Sequence, residues 1–150
     1  MNQVATAVSH QNRVFIVISV ILYLIACATP CLEVSQKSDP VWYGLRILVI
    51  GWLGILVGQF AWLANSLWLA GIVFFVFRKW MATMIFSGLS LLFALNTFTM
   101  FVSELPADEG GVNKFHLVHL RIGFYSWLTS LLVLFAGALV MKIQARRQPF

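Results

Sequence analysis

Four long stretches with almost no charge dominate this chain, and short charged segments separate them. Residues 14–29, 80–102 and 122–141 contain no Asp, Glu, Lys or Arg, and residues 44–77 contain only Arg46. One bilayer crossing takes about 20 apolar residues, so each stretch is long enough, or nearly so, to cross once. Composition points the same way: 61% of the 150 residues are hydrophobic and 10% are charged, against about 45–50% and about 25% in a soluble domain. A water-soluble fold of this size leaves too much surface exposed to hide so many apolar side chains. The pattern therefore predicts an all-α integral membrane protein, a four-helix bundle forming a single transmembrane domain. Its spans fall at about 14–29, 44–77, 80–102 and 122–141.

The second stretch is too long for one straight crossing and short for two. Asn65-Ser66 interrupts it, so one long element, bent or broken near Asn65, is expected. A hairpin over 44–77, giving five crossings, is the alternative. Charge chooses between them. With four crossings, Arg13, Arg78, Lys79, Lys142, Arg146 and Arg147 share one side, and all five acids lie on the other. Lys and Arg near span ends mark the cytoplasmic side. Both termini are thus expected in the cytoplasm, with residues 1–12 a short polar tail or interfacial turn and 31–40 and 103–121 outer loops. The net charge of +5 serves topology and anionic lipid. The cations are scattered and form no basic stripe, which excludes nucleic acid as a partner.

Lipid is as apolar as a helix surface, so membrane helices associate where small residues let backbones approach. Gly44, Gly51, Gly58 and Asn65 recur every seven residues, with Gly54 and Ala61 between them. Thr83, Ser87, Ser90, Ala94 and Thr97 step along the third span, and Gly123, Ser126, Ser130 and Gly137 along the fourth. Such seams hold a bundle together, or else line a polar path or substrate groove. No charge lies deep in a span, which argues against an ion pump or proton-coupled carrier.

Chemistry-bearing groups are few. His116 and His119 share a face if 115–121 is helical. With Asp108, Glu109, Cys31 or Glu33 they could hold a divalent metal such as zinc, or a haem; the plainer reading is two histidines at a wet interface. Leu24-Ile25-Ala26-Cys27 has the form of a lipobox, in which Cys27 would be lipidated after cleavage; the plainer reading is an uncleaved first span with a buried Cys. Cys27 and Cys31 could join in a disulfide in an oxidising compartment. The sequence contains no G-x-S-x-G, Walker loop, HExxH or G-x-G-x-x-G.

The run GWLGILVGQFAWLAN (Gly51–Asn65), the EGG turn at Glu109–Gly111 and the opening GFYSWL of the last span (Gly123–Leu128) resemble a group of small four-span bacterial inner-membrane proteins with no assigned activity. Those proteins often carry Pro after the Asn where this chain has Ser66. The resemblance implies a bacterial inner membrane and implies nothing about mechanism. The function expected is a non-enzymatic subunit, modulator or self-associating bundle, with the lipid bilayer and another membrane protein or a second copy as partners. A channel or carrier component, and a metal-dependent enzyme or redox protein using His116 and His119, are the alternatives.

Overall fold

The computed structural model describes the backbone of residues 2–36, 39–106 and 114–147. The described residues are mostly helical and form five α-helices. In order it forms α1 (Asn2–Ala28), β1 (Pro30–Val34), β2 (Val41–Tyr43), α2 (Gly44–Ile50), a 3-10 segment (Gly51–Val57), α3 (Leu63–Val76) and α4 (Trp80–Leu95). A second 3-10 segment (Asn96–Phe101), β3 (Leu105–Pro106), β4 (Lys114–Phe115), β5 (Leu117–Leu120) and α5 (Ile122–Arg147) follow. Two helical stretches, Trp80–Phe101 and Ile122–Arg146, are long and apolar enough to cross a membrane, whereas Arg13–Ala28 and Leu63–Val76 are apolar but shorter.

Four helices lie side by side: α1 on α5, α5 on α4, and α4 on α3. Trp68 of α3 closes the ring against Tyr23 of α1, their rings stacked 4.1 Å apart. Their core is Ala64, Trp68, Phe75, Ala94, Leu131, Leu134, Ala138 and Met141. α1 and α5 are antiparallel. Phe15 fills the space beside Gly137 at one end, and Ser126 donates to the Leu22 carbonyl near the other.

Three expectations from the sequence are corrected. Residues 2–12 continue α1 as helix rather than forming a separate tail. The element at 44–77 is interrupted, as expected, rather than bent. It breaks at 58–62, ahead of Asn65, because Gly58 takes a left-handed conformation (φ 82°) and ends the 3-10 segment. Glycine reaches that region without the steric cost a Cβ imposes. The chain then folds back. The Gln59 amide donates to the Gly54 carbonyl, and the Trp62 indole donates to the Leu48 carbonyl.

The third correction concerns the segments expected to be loops, which carry a sheet. β2, β1 and β5 pair antiparallel in that order, with Leu32 opposite both Trp42 and Leu120. β3 and β4 form a separate two-stranded ribbon. Cys31, Leu32, Val34, Leu105, Phe115, Leu117, Met100 and Phe124 make a second core beneath them. The sheet caps one end of the helices, at the C-terminus of α1 and the N-terminus of α5.

The turn at the opposite end carries a strained residue. The Arg78 amide donates to the Phe75 carbonyl at 3.0 Å and Lys79 to Phe74 at 2.9 Å. This is the paired pattern that usually puts glycine at the left-handed position. Here Arg78 occupies it, with φ 56°. The strain is of order 1 kcal/mol. Arg78→Gly should therefore raise stability by about 1 kcal/mol, read as a higher unfolding midpoint in detergent.

Candidate functional site: a cavity under the sheet end

Inside the helices, polar side chains form two shared nodes. Ser19 donates to the Ser130 carbonyl at 2.8 Å and accepts from the Trp68 indole at 3.0 Å, so α1, α3 and α5 meet at one hydroxyl. Nearer the sheet, Asn65 Oδ1 accepts from the Tyr23 hydroxyl at 3.0 Å and the Trp127 indole at 2.9 Å, joining the same three helices. An indole nitrogen can only donate, which fixes Oδ1 as the atom facing Trp127. The Asn65 amide NH2 is then the free end, and no side-chain hydrogen bond of that group is formed among the described residues.

Above this second node lies a cavity of about 690 Å³. Its floor is Tyr23, Asn65 and Trp127, its roof is the sheet and the β3–β4 ribbon, and α2 with the 3-10 segment forms its flank. The walls are mainly apolar, with Trp42, Trp62, Phe115 and Phe124 as the large rings. Volumes of about 300–1,000 Å³ with a few placed polar groups are typical of small-molecule sites. Arg46 is the only charged lining residue among those described. It is paired with Asp39 and lies over the Trp42 ring, 4.7 Å from its centre. Gln59 reaches Thr99 at 2.9 Å. Thr97 is only 4% exposed and lines the cavity, yet its hydroxyl forms no hydrogen bond among the described residues.

The sequence-derived residues divide between this site and the packing around it. A Cβ on Gly44 would lie 2.1 Å from the Ala26 carbonyl oxygen, and one on Gly123 would lie 2.5 Å from Cys31 Sγ. These glycines let α2 and α5 abut the end of α1 and β1. Gly51 lies against the Trp62 ring and Gly54 against Gln59, both on the cavity wall. Gly58 serves the turn and touches nothing across it, so the seven-residue stripe does not form one helix face. Ser87 and Ser90 are fully buried. Ser87 bonds within α4, and Ser90 crosses to the Ala64 carbonyl. Ser126 and Ser130 face α1.

The helix that would have put His116 and His119 on one face is absent. His119 lies in β5 and His116 just before it, and both residues are exposed. His119 lies opposite Glu33 in the sheet, while Glu33 pairs with Arg121. Asp108 and Glu109 lie outside the described residues. Among those described, no three His, Cys, Asp or Glu side chains gather where they could hold a metal. Cys27 and Cys31 are both free thiols.

No family model, curated protein or solved structure matches this chain. The cavity was missed in the sequence because its walls come from segments up to about a hundred residues apart. Its one legible sign was Asn65, a polar residue in an apolar run.

Burial, with the Cys27 thiol beside it, pushes the Cys31 thiol up to about 12. A thiol shifted that far carries roughly a thousandfold less thiolate at pH 8 than an ordinary one, and the thiolate is the nucleophile. Maleimide at pH 8 should leave Cys31 essentially unmodified in the folded protein and modify it fully after denaturation. Peptide mass spectrometry distinguishes it from Cys27.

Proposed function

We propose that this chain is a four-span helical bundle of the bacterial inner membrane, with both termini cytoplasmic. It acts without catalysis, as a binding subunit or modulator. The observation that carries the reading is how little the long apolar helices are buried. Only 28% of the apolar window of Trp80–Phe101 and 39% of that of Ile122–Arg146 lie inside the protein. A core helix of a soluble domain would be mostly hidden, and contiguous apolar surface of this extent is rare on soluble monomers. Leu24, Leu69, Val76, Leu92 and Leu132 all face outward.

Charge supports the orientation. At the sheet end, Arg46, Lys114 and Arg121 pair with Asp39, Glu104 and Glu33. At the other end, Arg13, Arg78, Lys79, Lys142 and Arg146 face no acid among the described residues. The end richer in Lys and Arg is the cytoplasmic one. The apolar lengths of α1 and α3 are short for a crossing, and α2 with its 3-10 segment adds apolar thickness beside them at the sheet end.

A carrier component is the second reading, favoured by the cavity at one end of the bundle. Against a polar path through the centre, the hydroxyls of Ser19, Ser90 and Ser126 are all engaged with backbone carbonyls of neighbouring helices.

Two measurements test the proposal. In a chain with Cys27 and Cys31 replaced by Ala, a membrane-impermeant maleimide added to spheroplasts should label His119→Cys. It should leave Lys79→Cys unlabelled until the membrane is opened; the reverse pattern would invert the orientation. Purification in mild detergent from native expression levels should return a partner chain or a homo-oligomer, and a solitary monomer would remove the subunit role.

A further inference from the structure

We infer that the cavity is a binding site for a neutral, membrane-soluble molecule that carries a hydrogen-bond acceptor such as a carbonyl. The inference rests on the membrane reading above and goes beyond it by naming the ligand's chemistry. Three observations converge. The cavity has the volume of a small-molecule site and walls of indole and phenyl rings. It offers no uncompensated charge, since Arg46 is held by Asp39, so an ionic ligand would lose its hydration without gaining a counter-charge. Two polar groups on its wall are left over from the protein's own bonding: the Asn65 NH2, turned away from Tyr23 and Trp127, and the nearly buried Thr97 hydroxyl.

Neither group is closed off from the cavity, and neither has a protein partner among the described residues. Structural needs do not explain these two. The Asn65 acceptor already satisfies both neighbouring donors, and Thr97 ties no helix to another. Both groups can donate to an acceptor within the cavity, while the rings take the apolar body of the same molecule. A hydrocarbon tail of a bilayer lipid could fill the space but would leave both donors unmet. The ligand class is therefore an apolar compound with a carbonyl, not a bare alkyl chain. The flank of the site is α2 and its 3-10 segment. None of its residues is buried, and Leu45, Val49 and Leu56 face outward. In a bilayer this flank meets lipid, the phase in which such a ligand dissolves.

The test uses the full chain in lipid nanodiscs and two photoreactive diazirine probes of equal length, a long-chain methyl ketone and the corresponding alkane. Cross-links are mapped by peptide mass spectrometry. The ketone should label the peptides around Trp62 and Trp127 about tenfold more than the alkane, the factor one retained hydrogen bond supports. Thr97→Val, which keeps the shape and removes the hydroxyl, should cut the ketone signal severalfold and leave the alkane signal unchanged. Asn65→Leu should likewise cut the ketone signal severalfold, and Thr97→Val keeps the test decisive if Asn65→Leu does not fold. Equal labelling by both probes, ketone labelling unmoved by Thr97→Val, or no labelling at these peptides would each overturn the inference. None of these results bears on the maleimide topology, so the two proposals fail separately.

Discussion

The interior of the four helices is organised by the need to satisfy polar groups where no water can reach them. Ser19 and Asn65 each bind donors or acceptors from two other helices, and each node joins α1, α3 and α5. Inside a bilayer, helices gain nothing by hiding apolar area from one another. On the four-span reading, close packing and these few bonds, averaging about 0.6 kcal/mol each in membranes, set the register. The stacked Tyr23 and Trp68 rings lie between the nodes and couple them. Sliding α3 by one residue would break both nodes together, so the depth of α3 against α1 and α5 is strongly specified.

The sheet depends on that register in turn. Only Thr29 separates α1 from β1, and Arg121 alone separates β5 from α5. The Arg121 amide donates to the Cys31 carbonyl at 2.8 Å, and the Gly44 amide donates to Thr29 at 3.1 Å. The ends of α1 and α5 are therefore stitched through β1 before α2 begins. Because α2 leaves the sheet pressed against the Ala26 carbonyl, its direction is set by α1. It runs beside the bundle, and the space enclosed between them is the cavity.

What the sequence shows and what it hides follow from the range of the forces involved. Apolar runs are a local property, so helix existence was legible at all the expected stretches. The sheet was not, because its strands are three to five residues long and β1 finds β5 across more than eighty residues. Seven-residue spacing grouped Gly58 with Gly44 and Gly51, yet spacing carries no information about φ, and of these three glycines only Gly58 adopts the left-handed conformation. The interruption expected near Asn65 falls a few residues ahead of it, at 58–62, and the polarity of Asn65 itself signals an interior bond rather than a helix end. The pairing of His116 with His119 rested on a helical period that the strand replaces.

The break in the second element raises a physical question that the fold answers. Irregular backbone at membrane depth survives only where it is buried in protein or lines a cavity, because its freed N–H and C=O groups have no water to turn to. On the four-span reading the break at 58–62 is such a place. The Phe60 amide, which has no helical partner, donates to Asn96 Oδ1 at 2.6 Å. Gln59 bonds the Thr99 hydroxyl one turn further on. Both partners sit where α4 tightens into its own 3-10 segment, so two irregular stretches satisfy each other side by side. The 14 residues of α3 rise only about 21 Å, short of a hydrocarbon core of about 30 Å. On the four-span reading the remaining thickness is made up by this paired break and by the flank formed from α2. The cavity thus lies at the level where the bundle gives up regular helix, which is also where polar side chains such as Asn65 and Thr97 can be kept inside an apolar wall.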